Sequence, residues 1–81
     1  MTVRVQFWSY FKDLAGCAET TATLADGATI ADLLKDVYAR FPQLAAAEKS
    51  TLIAVGVDYQ PHTYKLNDGD EVSLFPPVQG G

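Results

Sequence analysis

A chain of 81 residues makes a single domain, and a domain this small buries only roughly 60% of the surface of its unfolded chain, leaving little room for a deep internal pocket. With 48% apolar residues it has a globular composition, not a disordered one. A net charge of −4 and a pI of about 4.6, with the six basic residues scattered, argue against nucleic acid as a partner and suit a basic docking surface instead.

In chain order, residues 2–8 alternate, with Val3, Val5 and Phe7 on one side and Thr2, Arg4, Gln6 and Trp8 on the other. That predicts a strand with one core face. "YFKDLAG" reads as one or two helical turns closed by Gly16, and the threonine-rich "ETTATL" as a second strand returning beside the first. Thr29 and Asp32 have the spacing of a capping box. Ile30, Leu33, Leu34, Val37, Tyr38 and Phe41 follow as one apolar helical stripe, which Pro42 ends. "QLAAAEKS" adds a further turn, and "TLIAVGV" is expected to be a buried strand. A short strand is expected around Thr63–Leu66, then a turn at "NDGD" and a last strand "EVSLF", with Val72 and Leu74 sharing a face. The expected architecture is α+β: a mixed sheet of four or five strands covering one main helix, with the first and last strands able to sit centrally as a parallel pair.

The side chains offer no obvious active site. Cys17 has no partner for an internal disulfide and reads as partly buried filler, and His62, in "YQPHTY", reads as an exposed turn residue. Asp68 and Asp70 flank Gly69 as a tight turn requires, so they are assigned to the turn and not to acid–base chemistry. No metal-ligand spacing and no glycine-rich phosphate loop is present, and the aromatics lack interleaved basic residues, so no metal and no bound cofactor are expected. The N-terminal stretch lacks signal-peptide character and no apolar run reaches membrane-spanning length. The cytoplasm is the expected compartment, with no membrane partner.

The ending "LFPPVQGG" is where function concentrates. Pro76 and Pro77 cannot donate to a ladder, so the last strand must stop at Phe75. Two prolines favour an extended, semi-rigid post, and Val78 to Gly81 can reach at most about 13 Å beyond it. Gly80 and Gly81 have the smallest cross-section a chain can have, and two glycines cost much entropy to order, which predicts a flexible tip. The division is therefore a domain at 1–75 and an extended tail at 76–81. With no reactive side chain in view, the C-terminal carboxylate of Gly81 is the remaining candidate, and at neutral pH it needs activation before acyl chemistry.

"LNDGDEVSLFPPVQGG" and "VRVQFWSYFKDLAG" closely resemble the molybdopterin synthase small subunit family, ubiquitin-like sulfur carriers with a β-grasp fold. The resemblance implies that Gly81 is adenylated by an ATP-dependent activating enzyme and converted to a thiocarboxylate. It would then donate sulfur to cyclic pyranopterin monophosphate in the active site of the synthase large subunit, within a heterotetramer. ATP is used by the activating enzyme and is not bound by this chain. Carried over by position, Gly80 and Gly81 form the reactive tip, and Pro76, Pro77 and Val78 the neck. Trp8, Phe75 and Lys12 belong to the partner-binding surface, together with Tyr59, which sits in a loop where the family often has an aliphatic residue. Gly56 stands where the family commonly has Asn; both tolerate positive φ, so the turn is expected to be kept. Rival readings are a protein modifier joined to lysines through Gly81, a sulfur carrier for thiazole synthesis, whose members lack the FPPV neck, and an interaction domain with an inert tail.

Overall fold

A computed structural model describes residues 1–77 of the chain. The elements run β1 (Thr2–Phe7), α1 (Phe11–Ala15), β2 (Glu19–Thr23), α2 (Ile30–Arg40), a 3₁₀ helix (Pro42–Ser50), β3 (Leu52–Val55), β4 (Asp58–Tyr59) and β5 (Glu71–Phe75). The five strands form one mixed sheet in the order β2-β1-β5-β3-β4. β1 pairs with β2 antiparallel and with β5 parallel, while β3 joins β5 and β4 antiparallel. This is the β-grasp arrangement, with the last strand at the centre.

Alternation in β1 sends Val3, Val5 and Phe7 inward, and Val72 and Leu74 of β5 point the same way, all of them at most 2% exposed. Against them lies α2, whose Ile30, Leu33, Leu34 and Val37 are buried, with Tyr38 and Phe41 half-buried at the end of the stripe. The helix starts where the capping box predicts. The Asp32 backbone N–H donates to the Thr29 hydroxyl, and the Thr29 N–H donates to the Asp32 carboxylate at 2.9 Å. That N–H holds the Asp32 carboxyl below its ordinary range, helped by the Thr29 hydroxyl. Ahead of Pro42 the helix stops at Arg40, and the chain continues as a nine-residue 3₁₀ helix that buries Leu44.

Two expectations need correcting. The fifth strand is β4 at Asp58–Tyr59, not a segment around Thr63–Leu66, where Lys65 makes only an isolated bridge to Thr29. The "TLIAVGV" run is not a buried strand throughout. Only Ile53 and Ala54 are buried; Leu52 is exposed on the outer face, and Val57 stands in solvent beyond Gly56. Gly56 takes φ 63, the left-handed turn that glycine or asparagine accepts there, so a two-residue turn can join β3 to β4.

Truncating Leu33 to alanine is expected to destabilise the domain by about 3 kcal/mol, read from urea unfolding, because the side chain is wholly enclosed between helix and sheet. The cap carries a pH signature. Asp32 is depressed in the native state, so its contribution is fully present above the ordinary aspartate value of 3.8 and is lost as pH falls through the lower native value. Urea midpoints of wild type and Asp32→Asn should therefore differ at neutral pH and converge in strong acid.

Candidate functional site

The site begins with two residues that lack an N–H. Pro76 and Pro77 follow β5 directly, so pairing ends at Phe75, opposite Leu52 of β3. Because β1 runs parallel to β5, both strands finish at the same edge of the sheet. Trp8 lies one residue past β1, yet its N–H still donates to the Leu74 carbonyl at 3.1 Å. The Trp8 and Phe75 rings consequently stack, with centroids 5.7 Å apart and planes 16° from parallel. From the far side of the sheet the Tyr59 ring meets Phe75 edge-on at 6.4 Å.

These rings lie on the sheet face that α2 leaves uncovered. Trp8 is 44% exposed and Tyr59 70%, while Phe75 is half-buried between them. Beside the neck, Tyr10, Leu52, Tyr59, Phe75, Pro76 and Pro77, with Ser9, line an open groove of about 440 Å³. The other end of the same face is polar. Arg4 reaches Glu19 at 3.0 Å and Glu71 at 3.9 Å, and Gln6 donates to Glu71 at 2.7 Å. The hydrogen bond to Glu19 holds the Arg4 guanidinium above its ordinary value, but both side chains are exposed, so this ladder marks a boundary of the apolar patch more than it stabilises the fold.

Of the residues singled out from sequence, Trp8, Tyr59, Phe75, Pro76 and Pro77 come together around one apolar surface. Tyr59 is placed there by strand β4 and not by a loop. Lys12 lies on α1 and borders a smaller hollow of about 220 Å³ on the other side of Trp8, with Gln6 and Glu19. Val78, Gly80 and Gly81 lie outside the described residues. His62 is exposed, and Cys17 is half-buried against the core. The carboxylates of the "NDGD" turn are engaged by backbone: Asp68 accepts from the Thr2 N–H and Asp70 from the Asn67 N–H, each at 2.8 Å. Among the described residues, no three His, Cys, Asp or Glu side chains are placed to share a metal ion, and no helix is long and apolar enough to cross a membrane.

The ThiS family profile matches residues 5–81. The chain belongs to the ThiS family. Among similar proteins, the molybdopterin synthase sulfur carrier subunit of Chlamydomonas reinhardtii is 36% identical over 83 residues, covering all of both chains. Small archaeal modifier protein 3 of Haloferax volcanii is 30% identical over 97 residues, again covering all of both. The crystal structure of SAMP1 from Haloferax volcanii superposes with a TM-score of 0.90 over the full length of both chains, at 20% identity, which shows the shared ubiquitin-like fold.

Three residues of this surface were not singled out from sequence: Ser9, Tyr10 and Leu52. Leu52 had a signal, since alternation from the inward Ile53 puts it on the outer face opposite Phe75. Tyr10 and Ser9 had none, because both lie in the turn before α1. Trp8 is the chain's single tryptophan, so its fluorescence reads the stack directly. Phe75→Ala is expected to shift Trp8 emission to the red, raise its quenching by acrylamide and lower stability by about 2 kcal/mol.

Proposed function

We propose that this protein is the sulfur carrier subunit of a molybdopterin synthase. The observation that carries this is the end-to-end 36% identity to a sulfur carrier subunit of that synthase. An apolar face around the root of the neck supports it, since such a face beside a departing tail suits a domain that docks and presents its end.

Residues 1–75 serve as the docking domain and 76–81 as the tail, with Gly81 supplying a terminal carboxylate. In the activating enzyme that carboxylate attacks the α-phosphorus of ATP, giving an acyl-adenylate and releasing pyrophosphate. A sulfide equivalent then displaces AMP at the acyl carbon, leaving a thiocarboxylate. The tail enters the active site of the synthase large subunit, where the thiocarboxylate sulfur bonds to cyclic pyranopterin monophosphate and water then cleaves the acyl–sulfur bond, leaving sulfur on the pterin and regenerating the Gly81 carboxylate. Gly80 and Gly81 keep the tip thin, and Pro76, Pro77 and Val78 hold it away from the domain. Trp8, Phe75 and Tyr59 anchor the large subunit, with Lys12 at the margin. The catalytic side chains belong to the partners, the assembly is a heterotetramer, and the work is done in the cytoplasm.

A second reading has one observation in its favour, the 30% identity to a small archaeal modifier protein. In that case the same adenylate is captured by a lysine amine, and an isopeptide forms in place of the thiocarboxylate. Intact mass spectrometry separates the two. The untagged protein is incubated with ATP, a competent activating enzyme and a sulfur source. Exchange of one oxygen for sulfur at Gly81, absent when Gly81 is deleted, is the expected result. An unchanged mass would sink the carrier reading, and Gly81 linked to lysine side chains would establish the modifier.

A further inference from the structure

Among the described residues Ser9 is the one non-glycine residue with a left-handed backbone, at φ 57. That conformation is uncommon for a residue with a Cβ and strongly disfavoured for a β-branched one. Its position explains what the conformation does. The Trp8 N–H is still held by the Leu74 carbonyl of β5, so Trp8 belongs to the sheet. Only two residues later Tyr10 is helical, at φ −69 and ψ −9, and Phe11 is sunk in the core at 1% exposure. The Trp8 carbonyl already accepts from the Phe11 N–H, and the Ser9 carbonyl from the Lys12 N–H, both at 3.1 Å. The whole reversal from strand to helix therefore falls on Ser9.

The two sides of that joint reach Phe75 and the groove at the neck. Trp8 stacks on Phe75, while Tyr10, held edge-on against Phe11 at 5.3 Å, lines the groove with Pro76 and Pro77. We propose that Ser9 is a positioning residue for partner docking: its left-handed backbone sets Trp8 against Phe75 and Tyr10 in the wall of the groove, so the anchors are arranged before the partner arrives. The proposal rests on the docking role given above, and it deepens that role by naming the residue that preorganises the face.

The test compares Ser9→Gly, Ser9→Ala and Ser9→Val at a temperature where circular dichroism shows each folded. Two quantities are read: acrylamide quenching of Trp8 in the isolated protein, and affinity for purified molybdopterin synthase large subunit. Glycine takes the left-handed region freely, so that variant should lose less than alanine or valine in both readouts. Valine should increase Trp8 quenching and weaken binding about tenfold, as partial loss of an aromatic anchor does. Alanine should fall between, and it keeps the comparison decisive if the valine variant does not fold. Wild-type quenching and affinity in the alanine and valine variants would overturn the proposal. So would equal losses in the glycine and valine variants, which would implicate the hydroxyl and not the backbone. A loosened Trp8 with unchanged affinity would overturn the link to docking. Failure of wild type itself to bind would overturn the carrier reading and the docking half of the proposal, while the quenching series, which needs no partner, would still decide the geometry.

Discussion

The structure is organised by its last strand. β5 lies between β1 and β3, so its backbone groups are paired on both sides, and the two prolines after it forbid that pairing to continue. A central strand that must stop abruptly stops at an edge of the sheet. Because β1 is parallel to it, the first strand leaves by the same edge, and because β3 is antiparallel, that strand begins there. Trp8, Phe75 and Leu52 are thus brought together by topology before any contact between their side chains is counted.

A single layer of helix can cover only one face of a sheet, and here α2 and the 3₁₀ helix cover the face built from Val3, Val5, Phe7, Val72 and Leu74. The other face divides along its length. At the neck it carries aromatic rings in contact with one another; at the far end Arg4 and Gln6 meet Glu19 and Glu71. Aromatics left in water on so small a domain are a cost that folding alone does not explain, whereas a docking surface needs them. Placing them at the neck also means that whatever covers the patch fixes the direction in which the tail leaves.

Much of this was legible in the residues. Alternation identified the core face of β1, the Thr29–Asp32 pair marked the start of α2, and Pro42 and Pro76 marked ends, because each of these depends on local chemistry. What was misread depends on pairing between distant segments. A two-residue strand such as β4 has too little alternation to detect, and its existence comes from Ala54 pairing with Tyr59. The apolar run at 51–57 could not be assigned face by face without knowing which neighbour lies on each side, so Leu52 was taken as buried. Ser9 carries no trace in sequence, since its backbone is dictated by a strand it adjoins and a core residue two positions on. The tail was recognised from its composition and not from any contact it makes.

Among the described residues, the scarcity of convergent side-chain chemistry and the two prolines of the neck have related physical causes. Asp68 and Asp70, the acidic pair that could have suggested catalysis, are consumed by the turn before β5: Asp68 ties it to the start of β1, beside the central parallel pair, and Asp70 closes it on Asn67. Rigidity is therefore invested on both sides of the point where the chain departs: hydrogen-bonded ladders below it, and prolines of restricted φ above it. In a carrier the partner binds the domain while chemistry occurs at the chain end, so any slack between the two dilutes the effective concentration of the reacting group. A stiff neck rooted in the apolar face would remove most of that slack in the proposed carrier. If the proposed carrier role holds, affinity would reside in Trp8, Tyr59 and Phe75, reactivity in the terminal carboxylate, and Pro76 and Pro77 would couple the two.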